Sequence, residues 1–367
     1  MDYKVFYREK NKSVQCIINY KYATGEWKQK TKQGFKTQKE SKSWQEEMIE
    51  KLEKLEEQIA SGNVLNEKYK GITFEKFKKV YTEHLKLYKA YNTQLNYKTT
   101  FNKFAKLNKK ALEDITQLDI QIIVDGLVKK GLSRGTIMDN LKRLNTVFKA
   151  AVSPYKAIAE NPLDVKAITL PKKKKTKKKI KALTKVQLDS LLEQISPEND
   201  YIITLIASTC GLRIGEILGL TWDNIDFKRK LIIVKRQWKE ISKGEYDFGD
   251  LKSVNADREV PIPPKTVAAL KQYKENLKVI PLDNRVVLDK NSKSTTSRLI
   301  KKYRKLGFNV SVHDLRHTYA TMLIGNGVDF KTAAKFLGHN VQMTIKIYSH
   351  VNQDMIDAAT LKLAEIF

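Results

Sequence analysis

Residues 311–351 read SVHDLRHTYATMLIGNGVDFKTAAKFLGHNVQMTIKIYSHV and hold four of the chain's five histidines. His313, Arg316, His317, His339, Tyr348 and His350 are set here among apolar residues at helical spacing. Ser311 and Asp314 fit a capping-box-like start, with Asp where Glu or Gln is usual, so a helix should open with His313 and Arg316 in its first turns. Three residues apart, those two share a face. The free N–H groups at a helix N-terminus favour an anion beside them. Gly325 to Gly327 should end that helix, and Asp329 can cap another that stops at Gly338, leaving His339 just beyond it. Tyr348 follows on a short helix entered near Asn340.

These residue types suit work on a phosphodiester. Its pentavalent transition state gathers negative charge on the nonbridging oxygens, which planar, always-charged guanidinium groups match better than lysines do. A tyrosine hydroxyl ionises near pH ~10 in water, so attack at neutral pH needs a nearby base or a strong positive field. Other readings compete. Among 16 tyrosines a single one is usually core or surface. His313 and His317, four apart, also suit zinc with His339 as a third ligand, but no carboxylate partner stands out and Arg316 would set a cation beside the metal.

Upstream, Thr184 and Gln187 form a capping box, and Leu183 can staple onto Leu188 to start the helix LTKVQLDSLLEQI. A largely apolar helix covers Tyr201 to Thr209, and residues 211–220, GLRIGEILGL, break and restart a helix. Arg213 lies there with Glu216 three residues on, a spacing that equally permits a structural ion pair. Leu231 to Trp238 and Glu259 to Ile262 are β-rich, and the polar stretch 249–258 between them places Lys252 on or beside a hairpin tip. Helices resume at Pro264, with a basic one over Lys293 to Gly307.

Residues 172–179 read KKKKTKKK after Pro171. Like charges this dense repel and resist packing, so residues 157–182 are expected to form a basic linker, with Lys173, Lys174 and Lys178 strapped along phosphates. Residues 70–156 look all-helical: Thr73 caps the first helix, others run near Thr93 to Leu107 and Asp119 to Lys129, and Ile137, Leu141, Leu144, Phe148 and Ala151 form one face of the last, Ser133 to Val152. Arg134, Lys142 and Arg143 lie off that face as solvated charges or phosphate contacts. Residues 1–62 read as three strands (YKVFYR, VQCIINY, EWKQKTKQGF) with a turn at Ala23-Thr24-Gly25, then a helix from about Gln38 to Ile59 stopping near Ser61-Gly62. Lys28, Lys30 and Lys32 alternate along the third strand and so project from one face, which favours DNA contact.

Bulk composition agrees. With 69 basic and 41 acidic residues the formal charge is +28, a field that draws polyanions and above all nucleic acid. No run is apolar enough to span a bilayer, and the N-terminus lacks an apolar signal-peptide core, so a cytoplasmic protein with no membrane partner is expected. Cys16 and Cys210 are too few and too far apart for a disulfide framework or a structural zinc site.

GLRIGEILGL (211–220), HDLRHTYAT (313–321), LGHN (337–340) and IYSHV (347–351) resemble, in order and spacing, the signature boxes of the tyrosine recombinase, or phage-integrase, family. LKSVNADREVPIP (251–263) resembles that family's lysine-bearing hairpin, although Asn255 and Ala256 stand where small hydroxyl residues are common, and Lys243 is the nearest competitor to Lys252. The resemblance covers about the last half of the chain. It implies that Arg213 and Arg316 clamp the scissile phosphate, that His313 acts near the nucleophile, that His339 holds a position taken by His or Trp, that Lys252 is the general acid and that Tyr348 is the nucleophile.

The expectation is thus a multidomain, mainly α protein. It comprises a three-stranded α+β arm-binding module (1–62), an all-helical core-binding domain (70–156), the linker, and a mainly α catalytic domain with a small β-sheet (183–367). The resemblance implies a site-specific recombinase that integrates and excises a mobile element through a 3′-phosphotyrosine, without metal or nucleotide cofactor. Its partners would be core-type and arm-type duplex DNA, a homotetramer at synapsis, and accessory excision and DNA-bending proteins. A type IB topoisomerase and a DNA-binding protein that has lost catalysis remain the alternatives. The tail DMIDAATLKLAEIF is apolar enough to dock on its own or a neighbouring protomer.

Overall fold

Strand β2 (Ser13–Lys21) buries every second residue, Val14, Cys16, Ile18 and Tyr20, and this alternation organises the N-terminal module. It is the middle strand of an antiparallel sheet between β1 (Asp2–Lys10) and β3 (Trp27–Phe35). Helix α1 (Lys42–Ala60) covers that face with Trp44, Met48, Ile49 and Leu52. The helix begins later than its composition suggests. Thr37 Oγ1 accepts from Glu40 N, Glu40 Oε2 accepts from Lys36 N, and Ser41 Oγ donates to the Gln38 carbonyl, so residues 36–41 close a turn instead.

The computed structural model describes residues 1–10, 13–21, 27–60, 65–172, 181–251, 254–279 and 281–348, and the chain divides into two units, Met1–Lys174 and Lys175–Phe367. The expected glycine turn at 23–25, the stop at Ser61-Gly62, Lys173, Lys174, Lys178, Lys252, His350 and the C-terminal tail lie outside the described residues.

Residues 74–152 are helical as expected: α2 (Phe74–Tyr88), α3 (Tyr91–Lys103), α4 (Gln117–Lys129) and α5 (Arg134–Val152). Thr73 and Ser133 cap α2 and α5, and Thr116 forms a capping box with Asp119 on α4. The predicted face of α5 is fully buried, and its Asn140 accepts a buried hydrogen bond from Thr100 at 2.9 Å. One boundary needs correction. Ala157, Ile158, Leu163 and Ile168 are buried in this helical core, so the chain does not leave the domain as a linker at 157 but stays packed to about residue 170. Apolar burial there outweighs the lack of helical period.

In the second unit, α7 (Glu198–Thr209) is buried on nearly all sides and carries the core. Around it lie α6 (Lys185–Gln194), α8 (Ile214–Leu218), α9 (Pro264–Asn276), α10 (Ser292–Lys305) and α11 (Val312–Gly325). Both capping boxes foreseen here are formed, Thr184 with Gln187 on α6 and Ser311 with Asp314 on α11. Strands β4 (Ile225–Asp226), β5 (Leu231–Val234) and β8 (Arg258–Pro261) make a sheet in the order β4-β5-β8.

Between β5 and β8 the chain inserts a separate hairpin, β6 (Gln237–Ser242) and β7 (Glu245–Gly249). The tip of this hairpin is Lys243-Gly244, with Gly244 at φ +79°. The backbone of β6 passes α8 so closely that a Cβ at Gly219 would lie 2.7 Å from Trp238 N. Last come α12 (Phe330–Leu337), capped by Asp329 and ended by left-handed Gly338, and α13 (Val341–Tyr348).

Replacing Ser311 by Ala removes the side-chain acceptor for Asp314 N and is expected to cost about 1 kcal/mol. Hydrogen exchange in the first turn of α11 should quicken accordingly; unchanged protection there would mean the cap does not hold the helix start.

Candidate active site

Arg213 is the N-cap residue of α8, where the chain turns after Gly211. Gly211 has φ +65°, and a Cβ there would meet the Tyr319 ring at 2.3 Å, so only glycine suits this turn. The turn aims Arg213 at Glu216: its backbone N and its Nη1 donate to the two carboxylate oxygens at 3.0 and 2.6 Å, while Nη2 donates to the Gly338 carbonyl at 3.1 Å. Arg213 keeps 31% of its side-chain surface exposed, leaving it able to meet a ligand.

Arg316, from the second turn of α11, is buried. Its Nη1 donates to the Gly211 carbonyl, and its Nη2 to the Leu337 carbonyl and to His339 Nε2, the last at 2.9 Å. Burial, then the nearby Arg213, pushes the guanidinium down to about 9, which leaves it charged at neutral pH. Since an arginine only donates, His339 Nε2 accepts, and neutral His339 carries its proton on Nδ1. That Nδ1 and Arg316 Nε are buried without hydrogen-bond partners among the described residues. Burial, then Arg316 and Arg213, lowers His339 to about 3.

Arg258 completes the cluster. Its Nη2 donates to Glu216 Oε2 at 2.8 Å, Nη1 to the Ala256 carbonyl at 2.9 Å and Nε to the Phe336 carbonyl at 2.7 Å. Burial opposes ionisation of Glu216, but Arg258 outweighs it, helped by Arg213 and Arg316, and holds the carboxyl below the usual range. Gly338 permits the close approach, since a Cβ there would stand 3.1 Å from Ala256 Cα. Beside the cluster a cavity of about 690 Å³ is lined by Asn255, Asp257, Arg258, Lys331, Lys335 and His339.

Of the residues expected at the site, Arg316 and His339 are thus joined directly, and Arg213 is linked to them through Glu216 and the Gly338 carbonyl. His313 lies at an exposed position on α11 with its ring 4.6 Å from that of His317. Its pKa is lowered by desolvation and then by Arg316. Tyr348 is fully buried on α13 and its hydroxyl is 2.6 Å from His317 Nδ1. Burial pushes the phenol up to about 12, against the pull of Arg316. Arg258 was passed over within the hairpin box; its signal is phase, because it alternates with inward-facing Val260 on β8, and an inward cation needs a carboxylate.

Of the residues expected to contact DNA, Lys28, Lys30 and Lys32 pair with Tyr20, Ile18 and Cys16, so they do share a face, the one on which α1 packs, and all three stay exposed there. Lys32 Nζ lies 6.0 Å from the ring centroid of Trp44 on α1. Arg134 Nη1 donates to the Pro171 carbonyl at 2.8 Å, while Lys142 is exposed and Arg143 half-buried on α5.

Residues 177–355 match the phage integrase family, and residues 5–52 match an arm DNA-binding domain. A XerC-like tyrosine recombinase of Caldanaerobacter subterraneus subsp. tengcongensis is 30% identical over 281 residues, 69% of this chain and 72% of the relative. The chain belongs to the tyrosine recombinase family. Tyrosine recombinases cleave and rejoin DNA strands, and this chain is such an enzyme. XerA of Thermococcus onnurineus is 33% identical over 229 residues, 60% of this chain and 75% of the relative. The fold is also that of the Tn1549 transposon integrase in complex with transposon right end DNA (TM-score 0.65, 24% identity, 80% of this chain and all of that one). It likewise matches a lambda integrase dimer bound to a core site (TM-score 0.55, 17% identity, 96% and 95% covered).

Glu216→Gln leaves Arg258 buried beside a neutral partner and should cost about 3–5 kcal/mol, the scale of breaking a buried ion pair. Because the folded carboxyl has a lowered pKa, its contribution is full above the ordinary carboxylate range and is lost as pH falls through the folded value. Thermal melts of wild type and variant should therefore differ at neutral pH and converge in acid; a gap that persists in acid contradicts the charge argument.

Proposed function

We propose that the protein is a site-specific integrase that inserts and excises a mobile element. Tyr348 attacks the phosphodiester, a 3′-phosphotyrosine forms, and strands are exchanged through a Holliday junction. The observation that carries this reading is the joined arginine pair: Arg213 and Arg316, tied by Glu216, by backbone carbonyls and by His339, beside an open cavity. Fixed guanidinium donors at that place stabilise the charge that develops on the nonbridging oxygens. Arg316 Nε and His339 Nδ1 are buried donors without partners among the described residues, and an opening of the site would bring them to those oxygens.

In this reading His313 borders the phosphate, and Lys252, outside the described residues, protonates the departing 5′ oxygen. The bond energy stays in the phosphotyrosine, so rejoining needs no nucleotide.

Support for the mobile-element role comes from the relatives' own contexts. They include a transposon integrase solved with a circular intermediate DNA and a lambda integrase tetramer on a Holliday junction. By that likeness this chain acts as a tetramer on core-type DNA. Lys142, Arg143 and the linker lysines Lys173, Lys174 and Lys178 supply phosphate contacts that carry no sequence choice.

The arm-type site is read by the open face of the N-terminal sheet. Register places Lys4, Phe6 and Arg8 of β1 there with Asn19 of β2 and Trp27, Gln29 and Thr31 of β3. Phe6 and Trp27 are 47% and 53% exposed on it, and Gln29 donates to Asn19 across it at 2.8 Å. Amides, cations and a flat apolar surface are what base edges and phosphates require.

A nicked suicide substrate carrying the core site should trap a covalent adduct with the wild type and none with Tyr348→Phe; an adduct in the variant refutes the nucleophile. If plasmid relaxation occurs without recombination between two attachment sites, the integrase reading falls. Lys4→Ala with Arg8→Ala should weaken arm-site binding and reduce the slope of log affinity against log salt by about 2, whereas an unchanged slope places the DNA elsewhere.

A further inference from the structure

Three histidines adjoin the phosphate clamp, and they differ in what they offer the Tyr348 hydroxyl. His339 offers no acceptor: Nε2 accepts from Arg316, and neutral His339 has its proton on Nδ1. His313 meets the ring of His317, edge to face at 76°, and has no hydrogen bond to the phenol among the described residues. Among the described residues, His317 alone presents a ring nitrogen to the phenol, Nδ1 at 2.6 Å from Oη. It does so because residues 313 and 317 are one helical turn apart on α11, while α13 returns to lay Tyr348 against that turn. The phenol ring is packed with Tyr319, Ala320, Ile324, Ala333 and Leu337, which fixes its direction.

We infer that His317 accepts the Tyr348 hydroxyl proton during strand cleavage, an inference that rests on Tyr348 being the nucleophile. In that role the hydroxyl is the donor of the pair, which requires the tautomer with the lone pair on Nδ1 and the proton on Nε2. The neutral form is the favoured one. Titratable and charged groups around the ring are His313, Asp314 and Arg316 on α11, Tyr348 on α13, and His339 after α12; desolvation, then His313, with Arg316 adding to it, lowers its pKa against the pull of Asp314.

In the step, Oη bonds to phosphorus as its proton passes to Nδ1. The bond from phosphorus to the 5′ oxygen breaks, and that oxygen leaves with a proton from the general acid. On rejoining, the incoming 5′ hydroxyl attacks the phosphotyrosine and returns its proton to that acid, while His317 gives its own back to Oη. No net proton is consumed.

The hydrogen bond admits a second role, a latch, since the phenol has no exposed surface here and meets a phosphate only after α13 shifts. The two roles are separable. In His317→Asn the Oδ1 atom stands near the place of Nδ1, so it accepts the hydrogen bond but cannot take the proton. Single-turnover adduct formation on a nicked core-site substrate should fall by ~100-fold or more in both His317→Asn and His317→Ala, with DNA affinity unchanged in both and melting temperature unchanged in His317→Asn, which keeps an acceptor for the buried hydroxyl. Below the phenol's own pKa the deficit should shrink as pH rises, because hydroxide replaces the missing base. A substrate with sulfur at the 5′ bridging position, whose leaving group needs no proton, should not restore the rate.

Wild-type rates in His317→Asn, a faster adduct in His317→Ala, a deficit independent of pH, or rescue by the sulfur substrate would each overturn the assignment. If Tyr348→Phe still forms an adduct, the nucleophile reading fails instead. If that variant is inert while the His317 variants cleave normally, only the present inference fails.

Discussion

A carboxylate buried among guanidinium groups is the constraint on which the catalytic unit depends. Glu216 has almost no exposed surface, and a buried charge without partners would neutralise rather than stay ionised. Arg258 and Arg213 satisfy it directly, and Arg316 stands 3.9 Å from it. Each arginine also donates to a backbone carbonyl, of Gly338, of Phe336 and Ala256, or of Gly211 and Leu337. These carbonyls belong to the turn before α8, the approach to β8 and the end of α12. Satisfying one charge therefore brings three remote segments into a single geometry, and the arginine cluster is held in place by the protein's own carboxylate and carbonyls.

Around that fixed positive charge the imidazoles are kept neutral. Burial and neighbouring cations lower His313, His317 and His339 alike, and tautomer then divides their roles. His339 accepts from Arg316 while its Nδ1 has no partner among the described residues, whereas His317 Nδ1 lies 2.6 Å from the tyrosine hydroxyl. In the proposed reaction, a permanently charged cluster with neutral rings beside it would separate charge stabilisation from proton movement.

Much of the fold was legible because it is written locally. The capping boxes at Thr184 and Ser311, the caps at Thr73 and Asp329, and the apolar face of α5 all depend on residues three or four apart, and all are formed. The β6–β7 hairpin was not legible, because Lys239, Glu240 and Asp247 interrupt any apolar stripe and its support is tertiary: Trp238 donates to the Lys290 carbonyl and stacks on Arg285. Residues 157–170 have no helical period either, yet isolated side chains such as Ile158 and Leu163 find a core already built by other elements. In the site, the boxes named Arg213, Arg316, His339 and Tyr348, but Arg258 and His317 acquire meaning only from partners 42 and 31 residues away.

Sequence by itself determined the helices, their caps, the order of the boxes and the charge that commits the protein to nucleic acid, since these follow from short-range spacing and composition. Period two along β3 dictated that Lys28, Lys30 and Lys32 share a face. Only the packing of α1 on β2 decided that this is the face on which the helix lies, because alternation has no sign until a partner element chooses a side. Likewise the stretch 311–351 supplied a tyrosine and several histidines, and only the return of α13 onto α11 decided which histidine meets the hydroxyl. A hydrogen bond depends on position in space to within a few tenths of an ångström, and spacing along the chain does not encode that for elements joined through a turn.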